Sequence, residues 1–173
     1  LVDAAAELPA DRFDVRVHGR TDTFPDHVAD LRKRAAGRPV RFMGGFDEEQ
    51  RGRIYGALDV LVVPSLWPEN APLVVQEARL AGLPVVASRV GGLPELVRDE
   101  LDGLLVPPGD ARALAAALRR LEDPALRARL VAAAPHVRTV DDDAGALERV
   151  YSEVRAEVRA EVCLLYTSPS PRD

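Results

Sequence analysis

Cysteine is all but absent. Cys163 stands alone, so no internal disulfide can form and the redox compartment is left unconstrained. Lysine is as scarce: of 23 basic side chains only Lys33 is a lysine. With heavy use of Ala, Leu, Val and Asp, that bias points to a GC-rich, bacterial genome rather than to guanidinium chemistry. No apolar run approaches the roughly 18–20 residues needed to cross a bilayer. Leu1-Val2-Asp3-Ala4 lacks the charged, apolar, cleavable layout of a signal peptide. A cytoplasmic location is therefore expected, with peripheral contact at the membrane left open. The net charge of −5 and a pI near 5.3 argue against a surface that binds nucleic acid by counterion release. No Gly-x-Gly-x-x-Gly opens a helix after a strand, which argues against a dinucleotide oxidoreductase.

What is present is a rhythm. In 173 residues, 47% of them hydrophobic and 29% charged, there is material for one domain with a real core. Apolar runs of four to six residues alternate with helical patterns. Phe13 to His18, Val40 to Met43, Asp59 to Pro64, Pro84 to Ala87 and Gly103 to Val106 read as strands. Asp26 to Ala36, Glu48 to Leu58, Leu73 to Ala81, Leu93 to Val97, Asp110 to Leu121 and Pro124 to Ala134 read as helices, and residues 1–8 as the end of another. Asp59 to Pro64 and Pro84 to Ala87 are continuously apolar, as in strands covered by helices on both faces. Leu147, Val150, Tyr151, Val154, Val158 and Val162 mark one face of a long last helix. The expected fold is a single α/β domain with a Rossmann-like parallel sheet flanked by helices over residues 1–162. Composition breaks at Cys163, and Cys163 to Asp173, with two prolines and no period, read as a foreign, adapter-derived tail.

The chemistry concentrates between Ser65 and Ser88, at the carboxyl end of one buried strand, where open α/β sheets place their ligands. Asn70 or Ala71 is the expected cap and Pro72 the expected first helical residue. The amides of Leu73 and Val74 then point out of a helix start, which binds phosphate through those donors and its dipole. Glu77 lies one turn further on and leans back toward the same mouth. A carboxylate beside a phosphate makes sense if it accepts hydrogen bonds from a diol such as a ribose. Glu69, just before the helix, faces the other end of such a ligand.

Glu69 and Glu77, with seven residues between them, resemble the E-x7-E signature of retaining glycosyltransferases of the GT-B fold, most closely family four. The frame extends the resemblance over roughly residues 1 to 160: Val40-Arg-Phe-Met-Gly44, Tyr55 to Ser65, Ala81 to Ser88, Gly91-Gly-Leu-Pro-Glu95 and Gly103 to Gly109 recur there in this order. The resemblance implies the C-terminal, donor-binding half of such an enzyme, which moves a hexosyl unit from a nucleoside diphosphate sugar to a hydroxyl acceptor with retention. It implies no cofactor and no metal. Glu69 would take the catalytic place against the donor sugar, Glu77 the ribose, and Leu73 with Val74 the diphosphate. Two departures stand out. Pro72, where many members have glycine, donates no N–H, so Asn70 or Ala71 would supply the missing contact. The family's Arg and Lys-Gly pair would fall before Leu1, as would the acceptor-binding domain. A truncated N-terminus is thus expected, and no turnover from this part alone.

The remaining candidates are weaker. Gly91 and Gly92 are placed near the cleft by the resemblance and are otherwise a plain turn. His18 ends a strand at the ligand edge, as Gly44 does on the next strand. Trp67 covers the site mouth or only decorates it. Asp141-Asp142-Asp143 suggests a metal until one notes the helix that follows, where capping is the better account. Arg112, Arg119, Arg120, Arg127 and Arg129 have acids interleaved, which favours a solvated face over contact with anionic lipid. The competing functions are another GT-B enzyme, such as a sugar-nucleotide epimerase or a glucan synthase, and a nucleotide-binding module without catalysis.

Overall fold

Aspartates open several of the helices. Asp47, Asp110 and Asp123 each accept a hydrogen bond from an amide of the first turn, that of Gln50, Ala113 and Ala125, at 2.9 Å in all three cases. Such caps satisfy donors that a helix start otherwise leaves free. The computed structural model describes residues 1–167, with side chains described to Val158. In chain order the elements are α1 (Val2–Ala5), β1 (Val15–His18), α2 (Pro25–Ala35), β2 (Val40–Gly44), α3 (Glu48–Tyr55), β3 (Leu61–Val63), α4 (Leu73–Leu80), β4 (Val85–Ser88), α5 (Leu93–Leu96), β5 (Gly103–Val106), α6 (Ala111–Arg120), α7 (Pro124–Ala133) and α8 (Val140–Thr167). They divide into two compact units, Leu1–Pro135 and His136–Asp173.

The first unit is the α/β body. β1 and β2 pair in parallel, Val15 beside Val40 and Val17 beside Phe42. β3, β4 and β5 form a second parallel set in that order. Alternation along β4 and β5 builds two cores. Val86, Leu104 and Val106 join Ala4 of α1, Leu114 and Leu118 of α6 and Leu130 of α7 on one face. Val85, Ala87 and Leu105 join Tyr55 of α3, Val75 and Ala78 of α4 and Leu93 of α5 on the other. Helices thus cover both faces of β4 and β5, and every residue of these two strands is buried.

β3 departs from the reading of a strand hidden on both sides. Leu61 and Val62 are only half-buried, and the strand is shorter than the apolar run around it. The reason is topological: among the described residues β3 pairs with β4 on one edge and with no strand on the other.

A buried ionic knot ties α4 and α5 to the start of β5. The Asp102 carboxylate has no exposed surface and the Arg79 side chain retains 6%. Asp102 accepts from the Arg98 amide at 2.9 Å and from its Nε at 2.5 Å, and lies 3.5 Å from an Arg79 guanidinium nitrogen. Arg79 also donates to the Leu96 carbonyl, and Arg98 to that of Ala133 at 3.0 Å. Burial pushes the Arg79 guanidinium below its usual range, and Asp102 opposes that shift.

The second unit is α8. At its start Asp142 takes the capping role. The Thr139 amide and hydroxyl both donate to Asp142 at 2.8 Å, and the Asp142 amide lies 3.2 Å from the Thr139 hydroxyl. That closes a capping box. The Thr139 amide and then its hydroxyl hold the Asp142 carboxyl below the usual carboxylate range. The helix runs through the compositional break at Cys163 to Thr167, and the rest of the expected foreign tail, 168–173, lies outside the described residues.

Candidate functional site

Every strand of the first unit runs parallel to its neighbour, so the sequence-expected residues collect at carboxyl ends. They form two clusters. At the end of β3, the chain turns through Ser65 to Asn70 and enters α4. The Ser65 hydroxyl donates to Glu69 Oε1. The Glu69 carbonyl accepts from the Gly92 amide at 2.7 Å, which brings the turn after β4 against the loop after β3. Contact there is main chain to main chain. A Cβ on Gly91 would stand 2.5 Å from the Glu69 carbonyl oxygen, and one on Gly92 would stand 1.9 Å from that of Asn70. Gly91 also has φ +57°, in the left-handed region that favours glycine. Gly91 and Gly92 are therefore fitted against the segment that carries Glu69 and Asn70.

The start of α4 differs from the sequence reading by one residue. Pro72, with ψ 121°, is itself the cap, so neither Asn70 nor Ala71 takes that place and Leu73 is the first helical residue. The Val75 amide makes the bond back to the Pro72 carbonyl at 3.1 Å. The amides ahead of it belong to Leu73 and Val74, so proline takes no donor from the helix start. Leu73 is largely exposed and Val74 partly so, as are Asn70, Ala71 and Trp67 around them.

Glu77 is gripped from α3, which sequence reasoning did not foresee. Tyr55 donates its hydroxyl to Oε2 at 2.7 Å, and an Arg51 guanidinium nitrogen lies 3.0 Å from Oε1. Arg51 and Tyr55 are four residues apart and so share a helix face. That spacing was the only signal available for them. Burial first, then the bond to Glu77, raises the Tyr55 phenol above its usual range, so it stays a donor. The Glu77 side chain keeps 22% of its surface, enough to present its remaining lone pairs to a ligand. Removing the phenol alone isolates this support: Tyr55→Phe is expected to cost about 0.5–1.5 kcal/mol of folding stability, the usual net worth of one hydrogen bond. Urea unfolding reads it, and an unchanged stability would free Glu77 from any dependence on Tyr55.

The second cluster lies at the ends of β1 and β2. His18 pairs in register with Gly44, and its ring meets Phe46 edge to face at 5.7 Å. Gly44 sits at φ +80° and accepts from the Gly19 amide at 2.9 Å. A cavity of about 580 Å³ in this unit contains none of the expected site residues in its lining.

Residues 1–123 match the family described as Glycosyl transferases group 1. The chain is 41% identical over 127 residues to a D-inositol 3-phosphate glycosyltransferase of a Nocardioides species, covering 71% of this chain and 28% of the relative. A protein of the same description from Corynebacterium aurimucosum is 36% identical over 165 residues, covering 88% of this chain and 39% of the relative. Among solved structures, Anabaena HepE in complex with UDP superposes with a TM-score of 0.75 at 27% identity, covering 88% of this chain and 44% of that one. The same protein with UDP-glucose gives 0.73 at 27% identity and the same coverage. The chain thus spans between about a quarter and two fifths of these curated relatives.

Proposed function

The chain belongs to the Glycosyl transferases group 1 family, and on that footing we propose that it holds the nucleoside diphosphate sugar in an enzyme that passes a hexosyl unit to a hydroxyl with retention. One observation carries the reading. A helix start with two unencumbered amides stands between two carboxylates, each fixed by its own neighbour: Glu69 by Ser65 and Glu77 by Arg51 and Tyr55. In the reaction the bond from the sugar's anomeric carbon to the β-phosphate oxygen breaks, a bond from that carbon to the acceptor oxygen forms, and the acceptor's hydroxyl proton passes to the departing diphosphate. The charge that appears on the departing diphosphate falls on the Leu73 and Val74 amides and the dipole behind them. Glu77 accepts from the ribose diol, and Arg51 offsets its charge beside the phosphates. Glu69 faces the sugar hydroxyls. No step needs a metal or a cofactor. UDP and UDP-glucose, the ligands of HepE, are the natural first probes.

The test separates the two carboxylates. Glu77→Ala is expected to weaken UDP itself by about 1.5–3 kcal/mol, as for a hydrogen bond to a charged group. Glu69→Ala is expected to leave UDP nearly untouched and to weaken UDP-glucose. Calorimetry with both ligands on both variants decides it. Equal losses for both ligands in both variants would mean that the carboxylates shape the helix start together and read no particular part of the donor.

A further inference from the structure

Two hydrogen bonds pin α5 at its two ends. At its head the Gly92 amide donates to the Glu69 carbonyl at 2.7 Å, and at its tail Arg79 of α4 donates to the Leu96 carbonyl. Glu69 and Arg79 belong to one stretch of chain, which runs from the loop after β3 into α4. The path therefore closes on itself. It goes from Glu69 to Arg79 along the chain, across to Leu96, back through α5 to Gly92, and across again to Glu69. Both carboxylates of the proposed donor site lie on this ring, with the helix start between them. At the usual rise per residue, α5 is a strut only about 6 Å long. Residues two apart on a helix stand about 200° apart, so Glu77 and Arg79 face opposite sides of α4. α3 holds Glu77 on one side, and α5 meets Arg79 on the other.

Packing alone does not account for a charge at position 79. The Arg79 side chain is 6% exposed, and its Nε has no partner among the described residues. An ion pair buried this deeply often adds nothing over apolar side chains of similar size. What an apolar side chain cannot do is bond a main-chain carbonyl. The last carbonyls of a helix lack partners within it, and Arg79 takes that of Leu96. Asp102 steadies the guanidinium for this contact. Its carboxylate lies 3.5 Å from the same nitrogen and is itself held by the Arg98 amide at 2.9 Å. On the donor roles proposed for Glu69 and Glu77, we propose that Arg79 is a positioning residue, which by closing the ring sets the distance between those two carboxylates and fits the site to the length of a nucleoside diphosphate sugar. With the ring open at Arg79, α5 pivots and carries the Glu69 loop with it. The Glu77 end stays, because Arg51 and Tyr55 hold it from α3. The sugar is then misplaced and the nucleotide is not.

The test has one arm without ligand and one with. Arg79→Met together with Asp102→Leu opens the ring and leaves an apolar pair in its place. In that chain the Gly92 amide is expected to exchange at least about tenfold faster, while the core amides of Val86 and Leu104 keep their rates. By calorimetry UDP is expected to bind within about twofold of the parent, and UDP-glucose at least about tenfold more weakly, the size of one lost hydrogen bond to a carboxylate. An unchanged Gly92 rate would overturn the proposal, and so would an unchanged affinity for UDP-glucose. Equal losses for UDP and UDP-glucose would also overturn it, since Arg79 would then support the fold and set no spacing. A parent chain that binds neither ligand overturns the donor reading instead, and the Gly92 rate still decides whether Arg79 closes the ring. Should the double variant fail to fold, Arg79→Met alone gives the same readings, because Asp102 keeps its bonds to Arg98.

Discussion

Asp102→Ala is expected to cost about 3–5 kcal/mol of folding stability, the usual loss when one partner of a buried ion pair is removed. The carboxylate has no exposed surface, and Arg79 is nearly as buried. Without Asp102 the Arg79 guanidinium keeps, among the described residues, the Leu96 carbonyl alone as a partner. The loss is a large share of the whole stability of a small domain, roughly 5–15 kcal/mol. Urea unfolding gives the value. The double change Arg79→Met with Asp102→Leu is expected to recover much of it, because apolar side chains of similar size remove the stranded charge. A single-variant loss below about 1 kcal/mol would show that water reaches the pair.

Gly92→Ala is expected to weaken binding of a sugar nucleotide by on the order of 100-fold, comparable to the loss in rate that a displacement of about an ångström causes. The new Cβ would meet the Asn70 carbonyl oxygen at 1.9 Å and its carbon at 3.0 Å. Both are main-chain atoms, so no rotamer change relieves the contact and the loop must move. Gly52→Ala is the matched control. Nothing lies within 4 Å of its Cβ, and inside a helix the change is expected to stabilise by about 0.5–1 kcal/mol. Calorimetry with UDP-glucose and thermal unfolding on both variants tests the pair of expectations. Unchanged affinity in Gly92→Ala would remove the glycine turn from the site.

Much of this was legible in the chain because apolar period and punctuation agree. The runs at Pro84 to Ala87 and Gly103 to Val106 became strands buried on both faces, and Asp110 capped the helix it opens. Glu69 and Glu77 stood out because a family frame surrounds them. Three things did not show. Proline fixes φ alike in the cap and in the first turn, so Pro72 moved from one to the other without any change of pattern. The grip of Arg51 and Tyr55 on Glu77 joins residues 22 and 26 positions apart, which no local spacing reports. The open edge of β3 is equally silent, because an apolar run reads the same whether one neighbour or two flank it.

The bond from the Gly92 amide to the Glu69 carbonyl uses no side chain from either residue. The residue at position 69 therefore hangs from a fixed point that is indifferent to its identity. A lineage carrying this stitch can try other residues at position 69, one mutation at a time, while the backbone beneath stays where it was. On the role proposed for Glu69, donor preference is then a trait that can change without a passage through misfolded intermediates. A saturation library at position 69 should accordingly contain mostly folded members.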